Sequence, residues 1–172
     1  SARSEYGSDP WSAKQMVGQP NVYPAYGDSP GAWAAAARDD GLQWVALGFL
    51  EEVYVDYVEV YETFNPGAIV KVELVDTSGR NHIIWEGPGG LAGTTPRVSR
   101  FENVVVTVPC NGVRITSDTE SVPGWNEIDA VSITGSYNPS RAQGGSDMVY
   151  QWASRAKASS QYREDRWTPE QM

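Results

Sequence analysis

Histidine and cysteine are nearly absent from this chain: of its 172 residues one is His82 and one is Cys110. A single cysteine excludes an intrachain disulfide and leaves the redox compartment unread. Its expected role is that of a small buried hydrophobe. So few ligands also exclude a Cys/His zinc site. A nucleophile system needs a base beside a Ser, Thr or Cys. His82 stands in the apolar run Asn81–Trp85 with no serine in a nucleophile-elbow context, so it reads as a strand histidine and no enzyme activity is expected. Basic residues are scarce too: 13 Lys and Arg face 22 Asp and Glu, for a net charge of −9. That excludes the basic face demanded by nucleic-acid phosphates and attraction to anionic lipid. It suits neutral ligands such as glycans, and Ca²⁺. No apolar run approaches the roughly 20 residues of a membrane-spanning helix, so no membrane insertion is expected. A secretory signal is missing, as it would be from a mature secreted chain. The sequence has no phosphate-cradling loop and no EF-hand, and Gly87–Gly90 reads as a turn.

Aromatic residues, by contrast, are plentiful: seven Trp and nine Tyr against three Phe. Such a content suits a sandwich core, a sugar-stacking surface, or both. The chain also repeats itself. Lys157–Met172 aligns without a gap on Ser1–Met16, with identities at Ala2/Ala158, Ser4/Ser160, Tyr6/Tyr162, Asp9/Asp165, Trp11/Trp167, Gln15/Gln171 and Met16/Met172. Average composition would give roughly one. The expected organisation is therefore a domain over 1–136, a linker over 137–156 and the start of a second repeat over 157–172. Tandem modules favour binding or structural roles. Tyr162 and Trp167 would leave apolar surface on a polar tail, which is expected to dock on a folded domain.

The middle of the chain has strand periodicity. Ala68–Asp76 alternates, with Val70, Val72 and Leu74 on one face and Lys71 and Glu73 on the other. Gln43–Phe49, Val53–Thr63, Asn81–Glu86, Asn103–Val108, Gly112–Thr116 and Glu127–Thr134 are further predicted strands. Turn signals separate them, among them Asn65-Pro66-Gly67, Thr77-Ser78-Gly79, Asn111-Gly112 and Pro123-Gly124. This spacing predicts an all-β sandwich, with Val70, Val72, Leu74, Val113, Ile115, Val131 and Ile133 between two antiparallel sheets. Asp9–Asp40 reads as a long ordered loop with helical turns at Ser12–Val17 and near Trp33–Arg38. Ser146–Ala158 reads as a short helix.

Several segments carry a family likeness. They are Tyr6-Gly7-Ser8 with Trp11, Gly18–Pro24 (GQPNVYP), Gly27-Asp28, Val60–Thr63 with Asn65–Val72, and Gly124–Val131 (GWNEIDAV). In this order they resemble a galactose-binding-like domain of the discoidin, or F5/8 type C-like, kind. They are similar to bacterial extracellular modules of that type and to the discoidin-like domain of an F-box/leucine-rich-repeat protein. The resemblance implies a galactose-binding-like jelly-roll β-sandwich, ligand loops at one end, no catalysis, and in many members a structural Ca²⁺. Fold alone does not give function.

Two acids sit in phase with buried residues: Glu62 with Val58 and Val60, Asp129 with Val131 and Ile133. A buried carboxylate must be hydrogen-bonded, paired or metal-bound. One reading has Glu62 holding backbone N–H groups near Asn65–Gly67 and Asp129 holding the aromatic opening segment. The other makes Asp129 a Ca²⁺ ligand with Asn21, Asp28 and carbonyls of Gln19–Asp28. For ligand binding the candidates are Tyr23, Tyr26, Asp28, Trp125 and Asn126, as rings for sugar faces and polar groups for hydroxyls. Trp11, Trp44 and Trp33 are expected to plug the sandwich ends. The expectation is a non-catalytic carbohydrate- or glycoconjugate-binding module of a multidomain protein at a bacterial surface, secreted or periplasmic. Its partners would be a glycan and neighbouring copies of the module. The alternative is a structural module assembling a fibre or surface array.

Overall fold

In the computed structural model of the chain, residues 10–139 and 147–156 are described. The repeated tail, with Tyr162 and Trp167, and the opening residues 1–9 lie outside them. A 3-10 turn, Ala13–Met16, precedes nine strands. These are β1 Trp33–Ala34, β2 Leu42–Phe64, β3 Ile69–Asp76, β4 Asn81–Glu86, β5 Arg97–Glu102, β6 Cys110–Asp118, β7 Glu127–Ser136, β8 Met148–Trp152 and β9 Arg155–Ala156. Every pairing among them is antiparallel.

The 23-residue β2 links two layers. Its first half pairs with β6 and β9, and β3 and β4 extend that sheet. Its second half pairs with β5 and β7, and β7 carries β1 and β8 on its other side. The ladder on β6 skips from Gly48 to Val53, where Leu50, Glu51 and Glu52 are exposed. A second slip, between Val55 and Tyr57, reverses the alternation. Gln43, Val45, Leu47, Phe49, Val53 and Val55 are buried before it, and Val58, Val60 and Glu62 after it. One extra residue flips the faces of everything beyond.

Between the sheets lie Val45, Leu47, Val72, Leu74, Val113 and Ile115 from one layer and Val58, Val60, Val131 and Ile133 from the other. Of the seven expected core residues only Val70 is half-buried. Its ladder slips between Ile69 and Lys71, so Ile69 takes the inward place. Glu73, expected outside, is buried between Lys71 and Arg114 at 3.7 Å each. Met16 and Trp33 of the opening segment also join the core, so Trp33 is a plug. Trp44 is not: it is half-buried beneath the Arg114 guanidinium, 4.3 Å from the ring centre.

Several expectations give way to long-range pairing. Strand β5 forms over Arg97–Glu102, while Asn103–Val108 is a loop. Asn103 supplies the reason. Its buried amide donates to the carbonyls of Val55 and Val106 and accepts from the N–H of Val105 and Val106. A side chain that satisfies the local backbone competes with a ladder. Asn111-Gly112, expected as a turn, lies inside β6. The second helical turn, near Trp33–Arg38, is replaced by β1. In place of a helix after residue 147 come β8 on β7 and β9 on β2, so the C-terminal segment ties both sheets together. Its Met-Val-Tyr-Gln-Trp run has strand propensity, and the open side of β7 gives it a partner.

Glu62 is 3% exposed. It accepts from the Gly67 N–H at 2.8 Å, from Arg97 Nε and Nη2 at 3.1 and 2.9 Å, and from the Ser99 hydroxyl. Gly67 has φ +126, and a Cβ there would meet the Leu91 carbonyl at 2.8 Å, so this turn needs glycine. Glu62→Gln is expected to cost about 1–2 kcal/mol, because an amide removes the charge that Arg97 pairs with and turns an NH₂ either toward the Gly67 N–H on Oε1 or toward the Arg97 and Ser99 donors on Oε2. An unchanged denaturant midpoint would show that the ion pair adds nothing to stability.

Candidate functional site

One end of the sandwich is built by the opening segment crossing the start of β7. Asp129 draws that segment in. Its Oδ1 accepts from the Asn21 N–H at 3.2 Å, and its Oδ2 from the N–H groups of Val22 and Tyr23 at 3.0 and 2.8 Å. Glu127, two residues earlier and so on the same face, accepts from the Ser29 N–H at 3.1 Å through Oε2. The Trp11 backbone bonds to Pro30 and Ala34, and its indole N–H donates to Asp28 Oδ1 at 3.1 Å. From the other side, Asn65 donates to the Trp125 carbonyl at 2.8 Å and Asp39 accepts from the Gly124 N–H at 2.6 Å.

These contacts enclose a cleft of about 130 Å³ lined by Trp11, Asp28, Ala34, Trp125 and Glu127. Two indoles and two carboxyls share it, and no basic side chain lines it. Glu127 is 1% exposed, and among the described residues its Oε1 has no hydrogen-bond partner. Burial pushes its carboxyl up to about 8; the Ser29 N–H opposes the rise and the adjoining Asp28 carboxylate adds to it. Near neutral pH Glu127 is therefore a proton donor beside Asp28. Among the described residues the non-glycine positions with positive φ are Trp11 (56°), Asp39 (55°) and Asn65 (42°). All three belong to this loop end, and such strain gathers at binding sites.

The family model described as Pappalysin-1, SD scarf domain, C-terminal (PAPPA) matches residues 1–144, a span that holds the whole cleft. The chain belongs to this family. It is also 24% identical over 165 residues to F-box/LRR-repeat protein 4 of Bos taurus, covering 77% of this chain. The chain spans 27% of the length of that relative. Among solved structures it is similar to chitosan-binding module 1 from a chitosanase/glucanase of Paenibacillus sp. IK-5. There the TM-score is 0.57 at 14% identity, with 78% of this chain and 92% of that one covered. A chain in the structure of reduced XRCC1 bound to the DNA pol beta catalytic domain gives a TM-score of 0.58 at 13% identity. That match covers 77% of this chain and 91% of the other. Both are likenesses of fold, the galactose-binding-like jelly roll expected from the sequence.

Within this SD scarf domain the predicted ligand residues divide. Asp28 and Trp125 line the cleft. Asn126 lies behind it, its amide donating to the carbonyls of Asn65 and Val122. Tyr26, 38% exposed, packs on Phe64 and donates its hydroxyl to the Gly93 carbonyl, away from the cleft. Tyr23 belongs to another surface. Its ring begins a row through Tyr61, Trp152 and Tyr150, with successive centroids 5.3, 5.3 and 5.2 Å apart. Trp11, expected as an end plug, is a cleft wall. Glu127 is legible from the same two-residue phase that singles out Asp129, and Trp11 carries no comparable signal.

The calcium expectation at Asn21, Asp28 and Asp129 does not fit these side chains. A cation beside Asp129 would face the three backbone N–H groups that its oxygens accept, and Asp28 is engaged by the Trp11 indole. No group of three or more His, Cys, Asp or Glu suited to a metal occurs among the described residues. Asp129 thus has the loop-holding role of the first reading.

Proposed function

We propose that this domain is a non-catalytic glycan-binding module of a multidomain surface or secreted protein, and that the Trp11–Trp125 cleft holds its ligand. The observation that carries this reading is the cleft itself: two indole rings beside a hydrogen-bond donor and an acceptor. Sugars offer apolar C–H faces to rings and hydroxyls to carboxyls. The jelly-roll fold shared with a chitosan-binding module supports the same reading. The two carboxyls adjoin, whereas a glycosidase pair stands roughly 5–10 Å apart, which favours binding over hydrolysis. Trp125→Ala is expected to weaken glycan binding about tenfold, or 1.4 kcal/mol, as read by calorimetry on a hit from a glycan array. Binding that survives the change, or turnover of any hit, would refute the proposal.

The aromatic row Tyr23–Tyr61–Trp152–Tyr150, with Tyr150 46% exposed, favours a second reading as an assembly module. A chain of this fold is also found in a protein complex. On that reading Tyr150→Ser would abolish concentration-dependent association in sedimentation and leave glycan binding intact.

A further inference from the structure

One stretch of β2 places an apolar groove beside an exposed knob. The groove opens on the outer face of the sheet built on the first half of β2, where Ala46 and Gly48 alternate with the buried Val45 and Leu47. It measures about 290 Å³, and its walls include Ala46, Gly48, Val75, Gly112 and Ala156 with a single cation, Arg155. Gly48 and Gly112 face each other in the ladder, so neither adds a side chain to the floor. The Arg155 guanidinium lies over Gly48, where an added Cβ would meet its Nε at 3.0 Å. It donates to the Phe49 carbonyl at 3.2 Å, and among the described residues it pairs with no carboxylate.

The knob is Leu50-Glu51-Glu52, where the ladder of β2 on β6 skips. Leu50 is 78% exposed, and both glutamates are exposed beside it. The knob is also held in place. The Gln151 side chain accepts from the Glu51 N–H at 2.8 Å and donates to the Glu51 carbonyl at 3.2 Å. An apolar side chain fixed in water gains free energy when it is covered, and a backbone already fixed loses little entropy on docking.

We propose that this stretch is a self-docking surface: Leu50 of one copy enters the groove of a second copy, Glu51 and Glu52 meet the second copy's Arg155, and the second copy returns the same contacts. Three observations select another copy as the occupant. The groove is apolar and larger than a leucine side chain needs. Its one cation answers the two anions of the knob, and at a net charge of −9 two copies repel unless a local contact of this kind opposes the repulsion. Groove and knob are neighbours on one strand, Gly48 lining the first and Leu50 opening the second, so a two-fold axis brings both pairs together at once. This goes beyond the glycan reading and does not depend on it. It also uses a surface other than the aromatic row.

The test is sedimentation of the full chain over a range of concentrations. The wild type is expected to form dimers. Leu50→Ser and Arg155→Glu are each expected to weaken them at least tenfold without moving the melting temperature. A chain with Glu51→Lys and Glu52→Lys is expected to be monomeric by itself. Mixed with the Arg155→Glu chain it should form a heterodimer, because both contacts are then attractive again. Tyr150→Ser should leave the wild-type dimer as it is. A wild type that stays monomeric at its highest soluble concentration overturns the proposal, as does a dimer that survives Leu50→Ser. Failure of the two charge-reversed chains to associate with each other overturns it as well. If the full chain is monomeric and removal of residues 157–172 makes it dimerise, the chain's own tail is the occupant of the groove and the proposal falls.

Discussion

Asp129→Asn is expected to lower the melting temperature by roughly 10 °C. The carboxylate is fully buried and accepts three backbone N–H groups from Asn21, Val22 and Tyr23. Hydrogen bonds to a charged group each contribute about 1.5–3 kcal/mol. They are not additive, but asparagine keeps one acceptor oxygen and turns an NH₂ toward at least one of the same donors. That combination leaves buried donors unsatisfied, for a cost of about 3–5 kcal/mol. For a chain of this size each kcal/mol shifts the midpoint by about 2–4 °C. The damage should concentrate in the opening segment, so amide exchange would rise first at Asn21–Tyr23 and glycan binding would fail before the sheets melt. A melting temperature unchanged by the substitution would remove Asp129 as the loop anchor. Chelator should leave the wild-type midpoint where it is, since the carboxylate is already taken by N–H groups. A drop of several degrees with chelator would restore the calcium reading.

Stability is expected to fall as pH rises from about 5 to 8, and Glu127 is the cause. Its folded pKa of about 8 lies above the ordinary 4.5. Between those values the folded chain keeps a proton that the unfolded chain has released, so raising pH favours unfolding. Below about 4.5 both states are protonated and no penalty exists, and above about 8 the loss is complete. Through the middle of the window the slope approaches 1.4 kcal/mol per pH unit. The other shifted groups among the described residues act elsewhere. Asp76 is held well below the usual carboxylate range by Ser78, then His82 and Arg80, so its contribution is lost only in acid. Burial raises Cys110 to about 11 and Tyr61 higher still, outside the window. Chemical denaturation of the wild type at pH 5, 6.5 and 8 should show the decline, and Glu127→Gln should flatten it and be the more stable chain at pH 8. Parallel curves for the two proteins would mean that Glu127 is ionised in the fold.

Elements with a strong local period are legible in the residue order alone. Val72 and Leu74 in β3, and Val131 and Ile133 in β7, are buried as expected, although Glu73 and the other β7 residues from Glu127 to Gly135 are buried as well. Strand β4 keeps its predicted bounds, and the turn at Asn65–Gly67 carries the glycine that its positive φ needs. The burial of Glu62 and Asp129 is expected from phase, and their partners were decided by the fold. Arg97–Glu102 carries little strand signal because Arg-Val-Ser-Arg-Phe-Glu alternates weakly, and it is a strand because β2 offers it a ladder. The apolar run Asn103–Val108 reads more like a strand and is not one, because Asn103 takes the backbone groups that a ladder would use.

The cleft shows the same division. The sequence by itself determined an acidic, aromatic-rich sandwich and the inward phase of β7, because charge, composition and a two-residue period are local properties. Only the tertiary structure decided that Trp11, Asp28, Trp125 and Glu127 share one space. Their meeting depends on three N–H bonds to Asp129 from residues more than 100 positions away, and no local pattern specifies which distant backbone a buried carboxylate will hold.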